Sequence, residues 1–373
     1  MSEDALRIVS GELVALRLFD IAWAIDLQHA QHLWSEHVGE AGSRSRLRAA
    51  PDKAVAFDVP PLLLNLRTVE IELDGRRVEG TVSVRLYDFG VAALALRIAV
   101  ADVSWSQFSE RFNALDRVVG VDAIDAPWST WLAEVRKIVA QALQRQSTAS
   151  LQEDYLFGVV HALDRPRTAA QLRDEIDLVA LLGGETRPLS EAAARDLTQR
   201  SFSYFADDLV VLTWDRAFIY EPRSDSDVMD VIEVANAQLL ELRYYDELLD
   251  DELPMMYDRV EDARRAASLF ASRRFADLAR GLYTLVAEVT ELTEKVDNAL
   301  QVTEDVYLAR VYSAALEQFR VPNVSAAVDR KLAIIRDTYT ALYDEASSRR
   351  AEILEIAIVL LIVMEIVLAL VRH

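Results

Sequence analysis

Residues 353–371 read ILEIAIVLLIVMEIVLALV, and no other stretch restricts the chain as much. As a helix they extend about 28 Å at roughly 1.5 Å per residue, close to the roughly 30 Å of a hydrocarbon core. The twelve strongly apolar residues between Ile356 and Val371 contribute roughly −4 to −7 kcal/mol to insertion, against about +3 kcal/mol for one central acid. Glu355 stands near the start of the stretch and Glu365 well inside it; Arg349 and Arg350 precede it, and Arg372 and His373 follow. These features predict a single-pass C-terminal membrane anchor in contact with lipid, with the bulk of the chain facing the cytoplasm. The other reading is a helix buried in the core of an oligomer. A carboxylate in such a setting must be protonated, paired or turned toward a protein interior. The candidate membrane or oligomer positions are therefore Glu355, Ile358, Ile362, Glu365, Leu368 and Arg372.

Residues 227–350 carry helical spacing throughout. Leu285, Val289, Leu292, Val296, Ala299, Thr303 and Val306 alternate steps of four and three, the seam of a coiled coil. Val328, Leu332, Ile335, Tyr339, Leu342 and Ala346 repeat the pattern after a break at residues 320–323. There Pro322 stops one helix and Asn323 caps the next, so the two segments are expected to pair as an antiparallel hairpin. An earlier helix carries Val228, Ile232, Ala235, Leu239, Leu242 and Leu249, and Pro254 is expected to end or kink it. The acids around Asp246 and Asp250 read as a solvated helix face.

A chain of 373 residues is long enough for two soluble modules, and residues 1–226 form the first. Strand patterns occupy residues 12–23, 69–73, 78–87, 91–100, 155–163, 209–213 and 217–220, with a hairpin signal at Asp74-Gly75. Helices are expected over 25–36, 106–115, 129–146 and 168–182, and Gly183-Gly184 marks a helix stop. Helices and hairpins interleave without a repeated βαβ unit, which gives the expected fold class: α+β, with a mixed head, a long helical hairpin over 227–350 and a transmembrane helix over 351–373. The arginine-rich stretch 42–48, followed by Pro51, reads as a flexible loop.

A net charge of −21 disfavours nucleic acid, since phosphate recognition needs clustered Lys and Arg. The absence of cysteine excludes disulfides, thiolate nucleophiles and zinc–thiolate sites. His29, His32 and Glu36 are spaced to share one helix face and could hold a divalent metal, although the spacing matches no zinc signature and suits an ordinary amphipathic helix. Asp88-Phe89-Gly90 lacks the other parts of a kinase. Trp214-Asp215-Arg216 reads as a turn with an aromatic anchor. No catalytic constellation and no cofactor are expected.

Leu354-Glu355-Ile356, leading through residues 358–362 to Glu365-Ile366, resembles the anchor of the "required for meiotic nuclear division" or YagE-like family. Residues 22–27, the two Phe-Gly-Val strands and the helix with Leu332, Ile335 and Asp337 extend the likeness, and Ile356 departs from it by standing where an aromatic is expected. The resemblance implies a membrane-anchored, self-associating protein, tied in mitochondrial members to the inner membrane and to organellar translation. It transfers no catalytic residue. The reading of the whole chain is a tail-anchored, homo-oligomeric scaffold or tether that presents a recognition head. The alternatives are a membrane-attached metal-dependent enzyme using His29 and His32, and an oligomeric membrane-remodelling or pore assembly in which Glu365 faces a shared interior.

Overall fold

The computed structural model describes residues 6–38, 42–44, 59–121, 123, 126–147, 151–184, 187–223, 227–265, 268–298 and 306–371. Its described residues divide into two compact units, Met1–Tyr244 with Lys295–Pro322, and Tyr245–Glu294 with Asn323–His373.

The first unit is built on a nine-stranded sheet ordered β3-β4-β5-β6-β1-β8-β11-β10-β9. The strands are β1 (Arg7–Asp20), β3 (Ser43–Arg44), β4 (Leu62–Leu73), β5 (Arg76–Leu86), β6 (Val91–Ser104), β8 (Gln152–Leu163), β9 (Ser201–Phe202), β10 (Leu209–Leu212) and β11 (Arg216–Tyr220). All neighbours run antiparallel except β11 with β8, which makes the sheet mixed and the architecture α+β as expected. A second, two-stranded ribbon joins β2 (Ala22–Ile25) to β7 (Leu143–Gln146). Asp74 and Gly75 form the β4–β5 hairpin with φ of 49° and 72°, the pair of positive angles a two-residue turn of the favoured hand requires.

Period-two alternation sorts the strand side chains into two interiors. Leu13, Val84, Leu96 and Phe218 face α2 (Trp105–Val119) and α3 (Trp128–Val139), whose Phe108, Phe112, Trp128 and Trp131 complete one core with α1 (Leu27–Val38). Ser104 and Gln107 form a reciprocal capping box at the start of α2. The short helices α4 (Ala169–Glu175), α5 (Leu178–Gly183) and α6 (Glu191–Thr198) follow β8. Gly184, left-handed at φ 61°, ends α5 where the Gly-Gly pair predicts a stop.

The opposite sheet face meets α7 (Val228–Arg265), which is buried on nearly every side between Val231 and Glu241. Asn236 Nδ2 donates to the Asp154 carbonyl of β8 at 3.3 Å. The far side of α7 meets α9 (Val306–Gln318), where the Tyr312 hydroxyl lies 2.7 Å from Gln238 Oε1. Pro254 lies inside α7 and does not end it.

The second unit is helical, comprising the end of α7, α8 (Ser268–Asn298) and α10 (Val321–Val371). Phe275, Ala279, Leu282 and Val289 of α8 are buried, as are Val328, Leu332, Ile335 and Leu342 of α10. Lys331 Nζ bridges Asp246 and Asp250 of α7 at 2.6 and 2.7 Å. Of the seam expected through Val306, Val289 is buried on α8 and Val306, at the start of α9, is 73% exposed, while Ala299 and Thr303 lie outside the described residues. The positive φ of Arg320 separates α9 from α10, and Pro322 sits in the first turn of α10, where its missing N–H costs nothing.

The expected transmembrane helix is corrected here. Among the described residues no helix is long and apolar enough to cross a membrane. The apolar run at the end of α10 is broken by Glu355 and Glu365, and one acid placed centrally opposes insertion by about 3 kcal/mol. The single-pass anchor, the membrane and tail-anchor description and the placement derived from them fall with it.

Gly90 has φ 100°, and a Cβ there would stand 1.7 Å from the Ala22 carbonyl oxygen, whereas Gly75 has nothing within 4 Å. Gly90→Ala is expected to lower the unfolding free energy by more than about 3 kcal/mol, and Gly75→Ala by about 1 kcal/mol. Urea titration of both variants checks the contrast.

Candidate functional site

Next to the candidate metal ligands, Asp26 caps α1, its Oδ1 accepting from the backbone N–H of Gln28 and His29 at 3.1 and 2.9 Å. His32 Nε2 and Glu36 Oε1 lie 3.7 Å apart with both side chains largely exposed, the spacing of a solvated surface pair. No group of three His, Cys, Asp or Glu among the described residues is placed to hold a metal ion. Residues 45–48 and Pro51 of the arginine-rich loop, and Arg372, lie outside the described residues.

Two polar groupings within the first unit were not foreseen as groupings, although the turn at Trp214-Asp215-Arg216 belongs to the second. The first lies between the sheet and α7. Arg85, on the α7 side of β5, reaches Asp230 Oδ1 with Nη2 at 2.8 Å and Glu233 Oε2 with Nη1 at 2.9 Å. The Tyr87 hydroxyl donates to Glu233 Oε1 at 2.8 Å. Burial depresses the Arg85 pKa, but Glu233 and Asp230 more than offset it, leaving the guanidinium held charged above its ordinary value. Burial raises the Tyr87 hydroxyl well above its usual range, and Glu233 adds to the rise. Burial also lifts Glu233, against the pull of Arg85. Beside this group, Arg97 Nη1 meets Glu12 Oε1 at 3.2 Å and Met229 Sδ at 3.8 Å.

The second grouping occupies the end of β1 and the neighbouring strands. Arg216 Nη2 reaches Asp116 Oδ2 at 2.6 Å, Nη1 reaches Asn113 Oδ1 at 2.9 Å, and Nε reaches Asp215 Oδ2 at 3.1 Å. The Tyr155 hydroxyl bonds the carbonyls of Thr213 and Arg216. Trp214 at this turn is 69% exposed, so Arg216 and Tyr155 anchor the turn and the tryptophan does not. Arg17 Nη2 and Trp128 Nε1 both donate to the Val119 carbonyl at the end of α2, at 3.2 and 2.7 Å. That carbonyl is one of those a helix C-terminus leaves unpaired. Arg17 Nε and Asp20 Oδ2, both buried, find no hydrogen-bond partner among the described residues. Burial raises Asp20 to about 6, against the opposing effects of Ser147, Arg136 and the Ala22 backbone.

The ion pairs and hydrogen bonds of both groupings join strands of the sheet to the helices packed on them, which makes them devices for seating elements. In sequence, the clue to the first is Arg85 in a strand reading Val82-Ser83-Val84-Arg85-Leu86, where the side opposite the apolar residues carries a charge.

The candidate surface for interaction is the end of α10. Glu355, Ile358, Ile362, Glu365 and Leu368 are all exposed; Ile358, Ile362 and Leu368 are 56%, 51% and 56% accessible. Contiguous apolar exposure on this scale marks an interaction site.

The sequence model for uncharacterized protein MJ0711, N-terminal domain, matches residues 10–227. Uncharacterized protein MJ0711 of Methanocaldococcus jannaschii is 26% identical over 196 residues, which are 52% of this chain and 59% of that protein. No solved structure matches. The resemblance to an uncharacterized family stands in that general form, while nothing found supports the meiotic-division or YagE name.

Two stability outcomes follow. Arg85→Met strands Asp230 and Glu233 under α7 and is expected to cost about 3–5 kcal/mol, much of it recovered by adding Glu233→Leu; chemical denaturation of the single and double variants checks this. Asp20 titrates near 6 when folded and near its ordinary value of about 4 when unfolded, so folding takes up a proton between those values. Its contribution therefore increases stability as pH falls from about 7.5 to about 4.5, by roughly 2 kcal/mol. Glu153, Asp154, Asp215 and Glu233, all raised by burial, act with the same sign. Urea midpoints across that range should show a shallower pH dependence for Asp20→Asn than for the parent.

Proposed function

This chain belongs to the family of uncharacterized protein MJ0711, N-terminal domain, and on that premise we propose that it is a self-associating scaffold, assembled through its helical part and recognising a protein partner through its α+β unit. The observation that supports assembly is the end of α10, where Leu354, Leu360 and Leu361 are 64%, 63% and 60% exposed. A helix apolar over most of its circumference is stable only when that surface is covered, and further copies of the chain supply apolar cover of matching length.

The α+β unit suits recognition. Its buried Arg85 and Arg216 are met by acids within the unit, and aromatic surface stands out at Trp214, Tyr204 and Phe205. Exposed aromatics resemble the anchors that dominate protein interfaces. Phe205 carries Arg223 over its ring at 3.9 Å, and Tyr204 packs edge-on against Phe205, so both rings are held in place before any partner arrives.

Sedimentation velocity of the full chain over a dilution series tests the assembly. The expected result is a species heavier than the 41.9 kDa of one chain, dissociating on dilution; a single-chain mass at every concentration refutes the proposal.

A further inference from the structure

The distribution of side chains around the end of α10 sets a lower limit on the size of the assembly, an inference that rests on the self-association proposed above. With 3.6 residues per turn, Glu355 and Glu365 stand about 80° apart on the helix, and an unbroken apolar arc of about 240° covers the rest. Opposite the acids, Ile356, Leu360, Val363, Val367 and Leu370 follow steps of four and three, the a and d positions of a coiled coil. All five are half or more exposed. Glu365 and Ile358 then occupy the outermost f position, and Glu355 the neighbouring c position.

The flanking e and g positions decide between two strands and more. In two-stranded coils these positions carry charges that border a narrow seam. Here they are Ala357 and Met364 on one side and Val359 and Ile366 on the other. One partner covers a stripe of about 100° and would leave most of the arc in water. Covering both flanks needs a neighbour on each side of every helix, which a closed ring of three or more copies provides.

We infer that the end of α10 forms a closed helical bundle of at least three copies of this chain, with Leu360 and Val367 facing the bundle axis and Glu355 and Glu365 facing outward. The acids are therefore spared burial, and no charge has to be neutralised inside.

Sedimentation equilibrium of the full chain and of two variants tests the inference. The expected mass is about three or more times that of one chain. Leu360→Glu with Val367→Glu is expected to reduce it to a single chain, whereas Ile358→Glu, on the outer position, leaves it unchanged. Circular dichroism of each variant verifies that the fold is retained. A dimeric mass overturns the bundle and leaves self-association standing; a monomeric mass overturns both. Equal dissociation by Ile358→Glu overturns the orientation, and co-flotation of the parent chain with phosphatidylcholine vesicles as a single copy overturns the choice of further copies as the cover.

Discussion

The Arg85 guanidinium constrains much of what surrounds it. It sits on the α7 side of β5 with its side chain 9% exposed, and a cation so placed must be met by acids or left at a cost of several kcal/mol. Asp230 and Glu233, three residues apart on α7, meet it together, and residues at that spacing share a helix face. That match fixes the axial position and the rotation of α7 against the sheet. With one face of α7 committed to the strands, its remaining apolar residues need a second cover, and α9 provides it. Phe319, just after α9, stacks edge-on against Tyr155 of β8 with ring centres 5.4 Å apart. Little net stability need come from such a pair, because desolvation offsets most of the attraction; what it supplies is a single register.

Local patterns were legible where neighbouring residues decide the outcome. Alternation located most long strands, Asp74-Gly75 located a hairpin, and Gly183-Gly184 located a helix end. The pattern failed where distant residues decide. Residues 129–146 read as one helix, yet α3 stops at Val139 and the last four residues form β7 because Ala22 and Ile25 pair with Gln146 and Leu143. The Arg85 network joins residues 145 and 146 positions apart, and no local window contains both halves. Pro254 was expected to break α7, but it lies on an exposed part of the helix, where water can satisfy the carbonyl that its ring displaces. The end of α10 was legible as apolar and helical, and what covers it was not, since apolar composition alone does not name a partner.

The energetics of that segment favour a wide contact over a narrow one. Association costs about 4–15 kcal/mol in lost freedom. Side chains such as Leu360 and Val367, already half covered by their own helix, return about 1 kcal/mol or somewhat more each when the rest of their surface is buried. A seam of five residues per helix therefore only approaches the lower part of that cost. The apolar residues at Val359, Met364 and Ile366 bring in further area only when neighbours stand on both sides. Opposing them is a charge of −21 on each chain, whose repulsion grows with every added copy and is screened over about 8 Å at physiological ionic strength. With Glu355 and Glu365 on the outer face, the nearest charges are kept apart by the width of the bundle, so the assembly gains its apolar area without bringing those carboxylates together at its axis.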